Sequence, residues 1–241
     1  MSFAAGLQHA LDLRQTDVVS ELKRGDSLED ILNRHLLVVE EMAESQILTS
    51  VLLLSSDGKR LTHGAAPSLP QPYREAIDGA EIGPEAGSCG TAAYLGRPVY
   101  VTDIATDPLW AAYRELALPH GLRSCWSTPI RHANGDVMGT FAIYQRSLGR
   151  PTREDLASIE IITENVARAI RWARSPDTEM HASDLLPKQV AALGALVAAI
   201  RQQATTLGED GRDAIETVVE GSEKLAEIVR RHLSGAGGSE K

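Results

Sequence analysis

Two cysteines are the only thiols in the chain, and each has neighbours suited to chemistry. Cys89 lies in Gly87-Ser-Cys-Gly90, just ahead of Thr91-Ala-Ala-Tyr-Leu95, a short helical stretch. Free backbone amides at a helix start, with the positive end of the helix dipole, lower a thiol pKa and attract anions. The competing reading of Cys89 is a small residue fitted into a crowded turn. Cys125 lies beside Trp126 in a β-rich run, and alternation sets it on the face of Arg123 and Ser127, opposite Trp126. There it is either a core residue or part of a site. Between the cysteines lie Asp103, Asp107, Trp110 and Tyr113. With only 4% aromatic residues in the chain, the gathering of Trp110, Tyr113 and Trp126 around one loop and one sheet face suits a pocket wall, or else packing of that loop on the sheet. Arg123 is placed to meet an anionic ligand, or to pair with Asp103 or Asp107. The candidate ligand-binding set is Cys89, Asp103, Trp110, Tyr113, Arg123, Cys125 and Trp126. No residue is assigned a catalytic or metal-ligating role.

Other chemistries find less support. The histidines are scattered, none paired at helical metal-ligand spacing, and there is no Cys-x-x-Cys. His120 alone approaches the candidate pocket in sequence. Gly83, Gly87 and Gly90 lack the Gly-Lys-Ser or Gly-Lys-Thr of a phosphate loop and are read as turn and close-packing glycines. A net charge of −9 argues against a sequence-independent nucleic-acid binder, which needs a basic face to displace counterions. The longest apolar run, 191–200, is too short and alanine-rich to span a bilayer, and the start of the chain lacks a cationic segment followed by an apolar block. These features lead to the expectation of a cytoplasmic protein with reduced thiols, no membrane partner and no nucleic-acid partner.

The elements that must position these residues follow from periodicity. Residues 1–25 form a helical lead-in ended by Gly25-Asp-Ser27; Ser27 caps a helix running to about Ala43, with Glu29 and Asp30 in its first turn. Ile47–Leu54 is a strand, Ser55-Ser-Asp-Gly58 a turn, and 59–63 the returning strand. A short helix from about Ser68 ends near Gly79. Strands follow at 98–102, 122–131 and 136–144, the last two joined at Asn134-Gly135, and 108–118 is a mostly helical loop. Thr152 and Asp155 form a capping box for a long helix to Arg174. Beyond Ser175-Pro-Asp177, stripes from Leu186 to Leu207 and from Ile215 to His232 repeat at coiled-coil spacing. They predict an antiparallel helical hairpin that buries its seam by dimerising into a four-helix bundle. The order of elements implies an α+β fold: an antiparallel sheet with helices packed on one face and a pocket on the other.

Residues 27–172 resemble a GAF domain, a sensory module of bacterial signalling proteins, through Gly-Ser-Cys-Gly-Thr-Ala-Ala-Tyr at 87–94, Asp-Pro-Leu-Trp at 107–110 and Leu-Arg-Ser-Cys-Trp-Ser-Thr-Pro-Ile at 122–130. The cyclic-nucleotide signature Asn-Lys-Phe-Asp-Glu is absent, and Asp103-Ile-Ala105 replaces the Asp-Ile-Pro of bilin-binding relatives. The cofactor is therefore left unknown, with no haem, bilin or metal signature. Residues 183–234 resemble, more weakly, a histidine-kinase dimerisation hairpin in a degenerate form, because His181 is followed by Ala182 and Ser183. The expected organisation is a lead-in (1–25), a GAF-like sensor (26–174), a linker (175–182), a dimerising hairpin (183–234) and a tail (235–241). The resemblance implies a non-catalytic homodimeric sensor that binds a small molecule and signals in trans to a kinase or response regulator. A second implied reading is an adaptor with an empty pocket. A third is a thiol enzyme: free-methionine-sulfoxide reductases carry a similar Gly-Val-Cys-Gly segment, but their attacking cysteine lies in the loop matching 104–120, which here has none.

Overall fold

The structure is a computed structural model that describes residues 6–43 and 45–174. The predicted linker, hairpin and tail lie outside the described residues. The chain opens with α1 (Leu7–Arg24) and α2 (Leu28–Glu41). Gly25, at φ 83°, ends α1 by a left-handed cap whose N–H returns to the Glu21 and Leu22 carbonyls. The Ser27 hydroxyl accepts from the Asp30 N–H at 3.1 Å and starts α2.

Strands β1 (Ile47–Leu54) and β2 (Arg60–Ala65) follow, then α3 (Gln71–Ile77), β3 (Ala80–Glu81), α4 (Gly87–Leu95) and β4 (Val99–Val101). The segment from 103 to 121 contains a 3-10 turn at Pro108–Trp110, α5 (Arg114–Ala117) and a second 3-10 turn at Leu118–His120. Strands β5 (Ser124–Arg131) and β6 (Val137–Gln145) and helix α6 (Arg153–Arg174) complete the domain. Thr152 and Asp155 exchange reciprocal bonds of 2.9 and 3.1 Å at the start of α6, the capping box expected from the sequence.

The six strands form one antiparallel sheet in the order β3-β2-β1-β6-β5-β4. The amphipathic helices α1, α2 and α6 layer one face, where Ile31, Leu36, Ile159, Ile162, Val166 and Ile170 are buried. The other face is also covered. Helices α3, α4 and α5 lie over it and enclose a second core that includes Leu52, Tyr73, Trp110, Leu122, Ala142 and Tyr144. Helix α4 is longer than expected because Gly87-Ser-Cys-Gly90, which has no apolar periodicity, already forms its first turn.

Candidate functional site

On the second face, side chains alternate along β5 and β6 so that Cys125, Ser127, Thr140, Ala142 and Tyr144 share one surface. Cys125 stands directly opposite Tyr144, and Ser127 opposite Ala142. Strand β1 adds Ser50 beside Ala142 and Leu52 beside Thr140. Leu52 and Tyr144 of this surface floor a cavity of about 30 Å³ whose walls come from α4, the Trp110 turn and Tyr73.

Two glycines make that approach possible. Gly87 adopts φ 62°, and a Cβ there would lie 3.8–3.9 Å from the Tyr113 and Trp110 rings. At Gly90 a Cβ would come within 2.6 Å of the Ala86 Cβ and 3.3 Å of the Glu81 carbonyl, so only hydrogen fits without displacement. Gly83 shows neither feature.

The roof is fixed by polar contacts. The Trp110 indole N–H donates to Ser88 Oγ at 3.1 Å, and the Ser88 hydroxyl donates to the Cys125 carbonyl at 3.1 Å. These two bonds join roof, α4 and floor in one chain. Trp110 and Tyr113 meet edge-to-face with centroids 6.5 Å apart. Asp107 caps the Pro108–Trp110 turn by accepting from the Leu109 N–H at 2.9 Å. Arg114 donates to the carbonyls of Ala105 and Asp107 at 2.8 and 3.2 Å.

The candidate residues are distributed unequally around this geometry. Cys89, Trp110 and Tyr113 line the cavity, and fully buried Cys125 packs in the core beside it. Asp103 and Arg123 stand at the two feet of the roof. The Asp103 carboxylate accepts from the Ala105 N–H and the Thr106 hydroxyl, both at 3.0 Å, and lies 3.8 Å from the Arg123 guanidinium. Trp126 faces the helix layer, where its indole donates to the Gly149 carbonyl at 2.9 Å. Tyr73 and Tyr144, absent from the candidate set, line the cavity, their rings edge-to-face at 5.8 Å. The hairpin signal held the clue to Tyr144: closing the strands at Asn134-Gly135 sets it against Cys125, the extra residue of the actual loop being absorbed by a register shift at Ile130/Arg131. His120 stacks edge-on against Tyr73 at 6.0 Å.

The thiols sit in distinct environments. Cys89 Sγ lies 3.8 Å from Tyr144 Oη. The neighbouring Cys125 thiol is the main influence on Cys89; with the Ser127, Tyr144 and Thr140 hydroxyls it outweighs burial and draws the Cys89 pKa down to about 7. Burial, with the adjacent Cys89 sulfur, pushes the Cys125 thiol well above its ordinary value, and burial does the same to the phenols of Tyr73 and Tyr144. Ser50 Oγ, Ser127 Oγ and Thr140 Oγ1 are buried on this face of the sheet without a hydrogen-bond partner among the described residues. The cavity lining carries no ionised carboxylate, guanidinium or ammonium group. A wider, open groove of about 800 Å³ runs between α6 and strands β4 and β5. It is lined by charged residues including Arg131, Glu160 and Arg168 and holds neither thiol. The cavity beneath Trp110, which holds Cys89 and the converging polar groups, is therefore taken as the candidate site.

Comparison with known proteins agrees with this architecture. The GAF domain family GAF_2 matches residues 25–171. The methyl sulfide methyltransferase-associated sensor of Methanosarcina acetivorans is 36% identical over 167 residues, 69% of this chain; the match spans 17% of that relative's length. A GAF sensor protein from Burkholderia vietnamiensis superposes with a TM-score of 0.54 at 20% identity, covering 71% of this chain and 98% of that structure. The free methionine-R-sulfoxide reductase of Neisseria meningitidis, in complex with its substrate, also gives 0.54, at 17% identity, covering 70% of this chain and 90% of that one. The last two likenesses concern the fold alone. With more than half of its residues matched, and with the sheet, roof and glycine-flanked α4 in place, the chain belongs to the GAF domain family.

Proposed function

We propose that the domain is a non-catalytic sensor that binds an uncharged small molecule between the sheet floor and the roof formed by residues 103–121. The carrying observation is the cavity itself: thiol, phenol and indole groups line it, and no carboxylate, guanidinium or ammonium group balances an ionic ligand. An ionic ligand there would lose its hydration without a counter-charge.

The volume adds a mechanism. A cavity of about 30 Å³ has room for roughly one water, whereas metabolite pockets commonly enclose roughly 300–1,000 Å³. Ligand entry therefore displaces the Trp110 turn, and binding and conformational change become one event. The floor transmits the displacement. On β5, Cys125 lies on the cavity's side of the sheet while Trp126, the next residue, faces the helix layer, and α6 packs against this strand. Movement of the floor changes the seating of α6, which leads into residue 175 and the heptad stripes. We assign those stripes to a dimer that presents the signal in trans to a kinase or response regulator. The name of the Methanosarcina relative, a sensor, supports this class of role. The absence of any cysteine from residues 104–120 weighs against the reductase reading.

The test is a thermal-shift screen of neutral small molecules on the full chain. A genuine ligand raises Tm, changes tryptophan emission, and loses its effect in Trp110→Ala. In Trp126→Phe, affinity is kept while any ligand-dependent change in the helix layer, read by hydrogen exchange in α6, is reduced. A ligand whose affinity is unchanged by Trp110→Ala refutes this placement of the site.

A further inference from the structure

Cys89 lines the cavity and Cys125 lies in the core beside it, with Tyr144 next to both. Cys89 enters from the first turn of α4, and Cys125 from the facing position on β5; the Ser88 hydroxyl, next to Cys89, bonds the Cys125 carbonyl at 3.1 Å. Tyr144, the cross-strand partner of Cys125, reaches Cys89 Sγ with its phenol oxygen at 3.8 Å. The buried hydroxyls of Ser127 and Thr140 share the sheet face of Tyr144, and their nearness helps to draw down the pKa of the same sulfur. A hydrophobic cysteine packed for volume needs none of these donors. Donors converging on one sulfur suit a thiolate, and a second thiol against it suits a resolving partner.

We propose that Cys89 and Cys125 form an oxidation site for small hydroperoxides, with Cys89 as the attacking thiolate and Cys125 as the resolving thiol. The cavity volume of about 30 Å³ admits hydrogen peroxide, which is neutral and little larger than water, without movement of the roof. In the first step Cys89 Sγ⁻ attacks the terminal peroxide oxygen. An S–O bond forms, the O–O bond breaks, and the departing hydroxide or alkoxide takes up the proton that Cys89 released. The products are a sulfenic acid and water or an alcohol. In the second step Cys125 Sγ, giving up its proton, attacks the sulfenic sulfur. An S–S bond forms, the S–O bond breaks, and hydroxide leaves with that proton as water. Two thiols lose two electrons in all and the peroxide gains them. Burial holds the Cys125 proton in place, so Cys89 reacts first. The resulting bond would tie α4 to β5 beneath Trp110, and no other ligand is needed for it to form.

The experiment uses the reduced full chain and hydrogen peroxide. The expected result is the loss of two hydrogens from the intact mass, the loss of both titratable thiols on unfolding, and a non-reducing digest linking the Cys89 and Cys125 peptides within one chain. The rate should titrate with a midpoint near pH 7, where the Cys89 thiolate forms, below the roughly 8.5 of a free cysteine. In Cys125→Ser, dimedone should label Cys89; in Cys89→Ser, Cys125 should stay reduced and unlabelled. Two free thiols surviving in wild-type protein under peroxide, or Cys125 oxidising in Cys89→Ser as fast as in wild type, overturns the assignment whether or not either variant folds well. Ligand screening on the same reduced protein reads the sensor function separately, so failure of either leaves the other standing.

Discussion

Ser88→Ala breaks the chain of bonds that holds the roof to the floor. Ser88 is fully buried; its oxygen accepts from the Trp110 indole and donates to the Cys125 carbonyl. The substitution leaves the indole N–H without an acceptor in a site that is 3% exposed. An orphaned buried donor costs about 1–3 kcal/mol, and the lost bond to the carbonyl adds about 1 kcal/mol. The expected destabilisation is therefore about 2–4 kcal/mol, which for a domain of this size lowers Tm by roughly 2–4 °C per kcal/mol. Trp110→Phe removes the donor along with its bond and shortens the ring. In the double variant no indole is orphaned, so its cost should fall short of the sum of the singles by about 1–2 kcal/mol. Urea unfolding followed by far-ultraviolet circular dichroism reads all four proteins without depending on tryptophan emission. Acrylamide quenching in a Trp126→Phe, Trp172→Phe background should show Trp110 more accessible after Ser88→Ala. Single-variant costs that add within about 0.5 kcal/mol would refute the claim that Ser88 and Trp110 act as one latch.

Three further outcomes follow from other parts of the domain. Glu21→Gln leaves the buried Arg14 guanidinium, 2.5 Å from the Glu21 carboxylate, with only the exposed Asp17 carboxylate at 3.8 Å as counter-charge, and should cost up to about 3–5 kcal/mol in urea unfolding, whereas removing Arg34, 43% exposed, should cost under about 1 kcal/mol. His35 is wholly buried with neither ring nitrogen bonded, and burial, with Arg14 nearby, draws its pKa down to about 3. The unfolded chain therefore binds the extra proton, so stability from this site is complete above about pH 6.5 and falls by about 1.4 kcal/mol per pH unit down to about pH 3; His35→Leu should flatten that part of a Tm-versus-pH profile. Gly90→Val forces a Cβ to within 2.6 Å of Ala86 and should cost about 1–3 kcal/mol, with partial recovery in Ala86→Gly, measured by thermal unfolding.

Much of this architecture is legible in residue order. Caps at Ser27 and Thr152, the turn at Gly58 and the Asn134-Gly135 hairpin are local signals whose physics is complete within a few residues, and the structure realises each. The start of α4 is harder to read because its first turn is held by tertiary contacts to roof and floor, and small residues carry no periodic stripe. The two-residue strand β3 gives no alternation to detect. Within the candidate site, aromatic enrichment pointed to the 103–121 segment, but side-chain direction decides which residues line the cavity. Trp126 lies one residue from Cys125 and therefore on the opposite face of the sheet. Arg123 and Asp103, far apart in sequence, meet because β4 and β5 are neighbours. Tyr73 reaches the cavity from α3, a placement set by packing of that helix over the sheet and by no pattern around residue 73.

The most direct test of the sensor reading is native mass spectrometry of the full chain after incubation with a cell extract depleted of charged metabolites. A discrete small-molecule increment is expected on the wild-type protein, persisting in Arg123→Gln and disappearing in Trp110→Ala. A bare protein after that incubation, or an increment that survives in Trp110→Ala, would contradict a neutral ligand seated beneath the Trp110 roof.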